Sequence, residues 1–108
     1  MTEIYTLKSP INALSGETIK ELKLDFDGLT ARDYRQIVHL ESKLRGDQPS
    51  FTISSLSKKT SAEFRIATSW VAALKGTKGL CLDDYDKISL QDVLELEEFG
   101  AFFTAGVE

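Results

Sequence analysis

Hydrophobic and polar residues alternate in two short runs near the start of the chain, over residues 3–9 and 19–26. This spacing is typical of β-strands that bury one face. Pro10 ends the first strand or places it at a sheet edge, since proline has no N–H to offer a neighbouring strand. Ser15-Gly16-Glu17 lies between the runs and is typical of a turn. We therefore predict a β-hairpin over residues 3–27, with an apolar face that packs on another element.

Three helix starts follow, and each combines the same two kinds of side chain. A hydroxyl residue stands just before a helically spaced apolar run, and an acidic residue follows three positions later. The pairs are Thr30 and Asp33, Thr60 and Glu63, and Ser89 and Asp92. The hydroxyl accepts a hydrogen bond from a free backbone N–H, and the carboxylate reaches back or lies at the positive end of the helix. The pattern predicts helices over 30–46, 60–76 and 89–104, with a linker loop over 47–59 and a second loop over 76–88.

Helical spacing also predicts which positions face inward. These are Tyr34, Ile37, Val38, Leu40 and Leu44 on the first helix, and Val93, Leu94 and Leu96 on the third. The second helix carries apolar residues on two adjacent rows, so we expect it to be the central, most buried helix. The predicted fold class is α+β, a single domain of residues 1–108 in which an N-terminal β-hairpin precedes a small bundle of three helices.

Composition changes this picture mainly by exclusion. The 108 residues are 42% hydrophobic and 28% charged, which is ordinary for a folded domain and argues against global disorder. No apolar run approaches the ~20 residues that a membrane-spanning helix needs. The segment MTEIYTLKSP lacks the basic start and apolar stretch of a signal peptide. The single cysteine, Cys81, lies between Leu80 and Leu82, where we expect a buried, reduced thiol, as is usual for a cytoplasmic protein.

Charge is distributed unevenly along the chain. Residues 1–60 carry nine basic and eight acidic side chains, whereas residues 61–108 carry four and nine. The acidic second half repels phosphate, so nucleic acid is a poor partner for it. We expect the chain to bind neither nucleic acid nor a membrane.

Little in the sequence points to catalysis. His39, the only histidine, is predicted on the exposed side of its helix, and a metal or catalytic site needs a second convergent group. Asp84 and Glu95 stand where a calcium loop would begin and end, but Ile88 replaces a ligand and Ser89 replaces the required glycine. A solvated acidic loop is the expectation for this segment. We predict no catalytic residue, no metal site, no cofactor and no enzymatic activity.

Two apolar clusters lie outside the clear helical stripes, one in the linker and one near the C-terminal end. Their members are Phe51, Ile53 and Leu56, and Phe99, Phe102 and Phe103. Each cluster either closes the core of a small domain or forms an exposed patch that binds a partner. We predict partner binding through the linker cluster first and through the C-terminal cluster second.

Four phrases follow the first strand in a recognisable order. They are PINALSGETIKELKLDF at 10–26, LTARDYRQI at 29–37, FRIATSWVAALKG at 64–76 and LDDYDKISLQDVLELEEF at 82–99. Over nearly the whole chain, this layout resembles the small tail assembly chaperones of long-tailed bacteriophages and prophages. The resemblance implies a protein of the host bacterial cytoplasm that binds the tape-measure protein and keeps it soluble during tail tube assembly, with the tail tube protein as a second candidate partner. It brings no catalytic residues with it.

Two other classes stay open at this point. A structural phage protein, such as a head–tail connector or tail terminator component, would form an oligomeric ring of defined mass. A regulatory nucleic-acid-binding domain would need a basic helix face, whereas the helix that follows Ser89 is acidic. A homo-oligomer is compatible with the chaperone as well.

Overall fold

The computed structural model describes residues 2–46 and 61–107. Its elements in chain order are β1 (Thr2–Asn12), β2 (Thr18–Asp25), α1 (Ala31–Arg45), α2 (Ala62–Gly76), a 3-10 helix (Leu82–Lys87) and α3 (Leu90–Val107). An antiparallel hairpin followed by helices confirms the predicted α+β class. The predicted linker, 47–59, lies outside the described residues. The loop predicted over 76–88 is wrong in its second half, which contains the 3-10 helix.

The hairpin contains a wide bulge. β1 and β2 pair antiparallel as far as Thr6 and again from Ile11, and residues 7–10 bulge out between these points. Pro10 lies in the bulge, where its missing N–H costs no strand hydrogen bond. The first strand therefore continues to Asn12 instead of ending at Pro10.

Helix α2 is the central element, as predicted. It contacts β2, α1 and α3, and every residue from Ala67 to Ala73 is buried. The Trp70 indole N–H donates to the backbone oxygen of Leu82 (3.1 Å), which fixes the 3-10 helix against α2. Leu22 and Leu24 of β2 are fully buried in the same core. Complete burial of one such leucine contributes about 1.5–3 kcal/mol, so the inner face of the hairpin is a large part of the core.

The predicted helix starts are confirmed with one shift. The Thr30 hydroxyl accepts from the backbone N–H of Asp33, whose carboxylate accepts from the Thr30 backbone N–H in return (2.8 Å). The Ser89 hydroxyl likewise accepts from the backbone N–H three residues later (3.2 Å). Helix α2 is capped by Ser61 and not by Thr60, since the Ser61 hydroxyl accepts from the third backbone N–H of that helix (3.0 Å).

Several predicted inward positions are wrong. Ile37 and Leu40 of α1 are buried, whereas Tyr34 and Val38 are exposed. In α3, Leu96 is fully buried and Val93 packs against the core, as predicted, whereas Leu94 is exposed. Positions two apart on a helix stand about 200° apart, so Leu94 and Leu96 cannot face the same way.

Helix α3 runs on past its predicted end at 104. Gly100 lies inside the helix, and a side chain there would strike the backbone oxygen of Arg65 on α2. The glycine thus lets two helices approach closely, which is worth more here than the helix propensity of a larger residue. No helix in the described part of the chain is both long and apolar enough to cross a membrane.

Candidate functional site

Helix α3 is apolar on two sides, and one of them faces solvent. Leu90 is 72% exposed, Leu94 58% and Phe102 86%. Ala101, which is half-buried, and Ala105, which is exposed, lie beside them. At about 100° per residue, Leu90, Leu94, Ala101 and Ala105 fall within about 60° of one another, and Phe102 stands about 60° farther round. We call these five residues the α3 outer face.

All the charged side chains that α3 itself places in or beside the α3 outer face are acidic. Glu98 is exposed within the face, and Glu97 and Glu95 lie along its two edges. No lysine or arginine occurs between Leu90 and Val107. Arg65 of α2 reaches the Glu97 edge, with 3.5 Å between guanidinium and carboxylate. The face therefore combines exposed apolar side chains with one carboxylate among them and further carboxylates along both edges.

The helix that carries this face is held along its length. The Ser69 hydroxyl of α2 donates to the backbone oxygen of Leu96 (2.5 Å), and Gly100 lies directly against α2. Near the C-terminal end, Phe103 stacks on Phe26 of the hairpin, with 4.8 Å between ring centroids. The α3 outer face is thus presented by a fixed helix and not by a frayed tail.

Asp92 anchors the start of α3 to the bulge of β1. Its carboxylate is fully buried. One oxygen accepts from the Tyr5 hydroxyl (2.5 Å) and the Lys8 backbone N–H (2.9 Å), and the other accepts from the Ser9 backbone N–H (3.3 Å) and the Ser89 hydroxyl (2.8 Å). The N–H groups that the bulge removes from strand pairing are satisfied in this way.

These contacts shift the pKa values of both partners. Burial alone would raise the pKa of Asp92, but the hydrogen bonds from Lys8, Tyr5, Ser89 and Ser9 more than offset it and hold that pKa below its ordinary value. Burial, the bond to Asp92 and the nearby negative charge raise the pKa of the Tyr5 hydroxyl well above its usual range. Near neutral pH the pair is therefore a carboxylate and a neutral phenol.

Asp84 plays the same part at the hairpin turn, which corrects the expectation of a solvated acidic loop. It is fully buried, and it accepts from the backbone N–H groups of Leu14 (2.9 Å) and Cys81 (3.0 Å). The Cys81 thiol also donates to it (3.3 Å), and the Lys87 ammonium lies 3.4 Å away. Burial opposes ionisation of Asp84, but these donors lower its pKa below the ordinary value. Cys81 itself is exposed, so the prediction of a buried thiol is wrong.

Both buried carboxylates are saturated with donors from the protein, which suits them to holding the fold together. His39 is exposed, as predicted. Within the described ranges, no group of three or more His, Cys, Asp or Glu residues is arranged to hold a metal ion.

The structure separates the three phenylalanines of the predicted C-terminal cluster. Phe102 lies on the α3 outer face, whereas Phe99 and Phe103 pack against the core. Phe99 meets Tyr5 edge to face, with 5.9 Å between ring centroids. The linker cluster of Phe51, Ile53 and Leu56 lies outside the described residues, so its role in partner binding stays a prediction.

Sequence reasoning missed Leu90 and Leu94 as exposed residues. A signal was present, because Leu90 and Leu94 are four residues apart and Leu96 belongs to the opposite side of the helix. No protein-family model matches the chain, and neither a curated protein nor a solved structure matches it.

Proposed function

We propose that this chain is a tail assembly chaperone of a long-tailed phage or prophage, which binds the tape-measure protein through the α3 outer face. The identity of the client is inferred from the resemblance of the sequence to tail assembly chaperones. The observation that supports a binding role is the exposure of Leu90, Leu94 and Phe102 on one side of a firmly held helix. In this role the protein works in the cytoplasm of the host bacterium and catalyses no reaction.

The physical argument rests on what an exposed apolar helix face does in water. A helix that is apolar all round is normally covered on all sides. Exposed apolar surface rimmed by polar residues is typical of interaction sites in soluble proteins. An unassembled tape-measure chain exposes apolar helix faces of its own, and an α-helix can lie along such a face with apolar anchors spaced by three or four residues. Covering those faces keeps the client from aggregating.

Release of the client also fits a surface of this size. One helix face offers few anchors, so the affinity of a single contact is modest. A long client offers many such segments, and several copies of the chaperone can coat it. Each copy can then leave as tube subunits replace it.

The alternative is a structural phage protein that uses the same face to form a ring, such as a head–tail connector or tail terminator component. The α3 outer face would then meet another copy and not a client. The mass of the assembled protein separates the two, because a closed ring has one defined number of subunits.

The test is co-expression with the tape-measure protein from the same phage genome. We expect the double variant L94Q/F102Q to lose most of the client from the soluble fraction, because both anchors become polar while glutamine keeps a helix propensity close to that of leucine. The matched control is I4Q/L14Q, which removes two other exposed apolar side chains (59% and 64% exposed) on the hairpin. The control should retain the client as the wild-type protein does.

Folding of each variant is checked by its melting temperature, which we expect to stay within a few degrees of wild type. Equal client recovery by L94Q/F102Q and by wild type would overturn the proposal.

A further inference from the structure

Helix α1 also turns apolar side chains to solvent, but with the opposite charge. Tyr34 is 56% exposed and Val38, one turn later, is 36% exposed. Arg35 is exposed beside them. At about 100° per residue, Arg35 stands about 60° from Val38 and about 100° from Tyr34. We call Tyr34, Val38 and Arg35 the α1 outer face.

The acidic residues of α1 do not neutralise this face. Asp33 is engaged by the Thr30 cap and by the Lys75 ammonium of α2 (2.9 Å). Glu41 is engaged by Arg45 (2.7 Å). The α1 outer face is therefore apolar and basic, whereas the α3 outer face is apolar and acidic.

We propose that the α3 outer face of one copy docks on the α1 outer face of a second copy. The two faces belong to helices of similar length, about 22 Å for α1 and about 27 Å for α3 at 1.5 Å per residue. Leu90 and Leu94 meet Tyr34 and Val38 at the centre of the contact, and the carboxylate of Glu98 lies near the guanidinium of Arg35.

The same charges argue against a symmetric contact of α3 with α3. A two-fold contact would bring the glutamates of both helices together with no lysine or arginine of α3 to separate them. Like charges held together across an interface are unfavourable and exclude wrong partners. A second copy offering α1 has the required opposite charge.

Because the two faces differ, the contact is heterologous and leaves one face free at each end of a pair. Both helices pack on α2, so one copy can use both faces at once. The assembly therefore grows head to tail, as an open chain or as a closed ring. The contact is small, so we expect dissociation in the micromolar range or weaker.

This inference goes beyond the proposed function, since it does not depend on the identity of the client. It does predict that client and second copy compete for the α3 outer face. Free chaperone would cover its own apolar surface until a client displaces the neighbouring copy.

Sedimentation of two complementary variants tests the contact. L94D blocks the α3 outer face, and V38D blocks the α1 outer face. We expect the wild-type mass to rise beyond a dimer between micromolar and near-millimolar concentrations, and each variant alone to stay monomeric. An equimolar mixture of the two should form dimers and stop there, because one intact face remains on each chain. I4D, on the hairpin, should assemble as wild type.

A second experiment reverses the charges at Arg35 and Glu98 and does not depend on the folding of V38D. R35E and E98K change exposed residues, and each alone should weaken assembly at least tenfold. The combined R35E/E98K chain should recover it. Since R35E leaves the α3 outer face intact, it should still retain the tape-measure protein, whereas L94D should lose both activities.

Three results would overturn the proposal: a wild-type protein that is monomeric at every concentration, a mixture of L94D and V38D that forms no dimer, or an R35E/E98K chain that does not recover. A closed ring of fixed size would support the contact and would favour the structural phage protein over the chaperone.

Discussion

Asp92 stands at the start of α3, yet three of its four hydrogen-bond donors belong to β1, more than eighty residues earlier in the chain. Asp84 binds the backbone of the hairpin turn in the same manner. The Asp92 carboxylate replaces hydrogen bonds that the bulged strand cannot make within the sheet, and Asp84 accepts from backbone N–H groups outside the strands. Two buried charges therefore connect the N-terminal hairpin to the C-terminal third of the chain.

The change D92N tests this connection. The amide lacks the charge and turns donor hydrogens toward groups that are themselves donors, so we expect a loss of about 3 kcal/mol in the free energy of unfolding at neutral pH. Folding lowers the pKa of Asp92 below its unfolded value of about 3.9, so its stabilisation is complete above that pH and is lost as the pH falls through the folded pKa. The difference between wild type and D92N should therefore shrink below about pH 4.

Urea unfolding at a series of pH values measures this difference. The uncharged change L14Q is the control, and its curve should run parallel to that of wild type. A D92N protein as stable as wild type at neutral pH, or a difference that grows in acid, would contradict the role assigned to Asp92.

The sequence predicted the local part of this arrangement but not the distant part. Ser89 and Asp92 match a capping pattern that is visible within four residues. The local sequence around Asp92 does not predict the donors Tyr5, Lys8 and Ser9. The bulge that frees the two backbone N–H groups depends on the register of β1 against β2. For the same reason Asp84 looked like part of a solvated loop.

At the scale of elements, helix α3 depends on a glycine that helix propensity alone disfavours. Replacing a helix glycine by alanine normally stabilises a protein by about 1 kcal/mol. In G100A the added methyl group strikes the Arg65 backbone oxygen, so α2 and α3 must move apart. We expect a net loss of about 1–3 kcal/mol, as for other overpacked cores.

Thermal or urea unfolding of G100A measures this loss. The neighbouring change A101G lies on the outer side of the helix and should lose about 1 kcal/mol from propensity alone. A G100A protein more stable than wild type would show that the two helices do not meet as closely as Gly100 indicates.

Element types followed from periodicity, but faces and ends did not. The strands, the three described α-helices and the central position of α2 were all predictable, since each has a clear apolar spacing. Leu94 and Val38 were misplaced because the predicted inward stripes were too wide for helices that bury only one narrow row. The 3-10 helix was missed because its LDDYDK sequence has no apolar period, and its position depends on Trp70.

At the scale of the whole molecule, apolar surface and charge are sorted onto two helices. The α1 outer face is basic and the α3 outer face is acidic, although the net charge is only −4. Raising the ionic strength from 0.1 M to 1 M shortens the screening length from about 10 Å to about 3 Å. We expect self-association to weaken several-fold over this range.

Sedimentation at the two salt concentrations checks this expectation. The variant E98Q, which has lost one of the facing charges, should associate more weakly at low salt and respond less to added salt. Wild-type association that is unchanged or stronger at high salt would mean that charge does not select the contact.

The bulge in β1 also determines how early the hairpin can fold during synthesis. Lys8 and Ser9 are synthesised more than eighty residues before Asp92, so the carboxylate that accepts from their backbone N–H groups is absent when β1 is made. Contacts this distant in sequence slow folding, because most of the chain must be ordered before they form. The bulge of β1 therefore reaches its final shape only after the start of α3 has been synthesised.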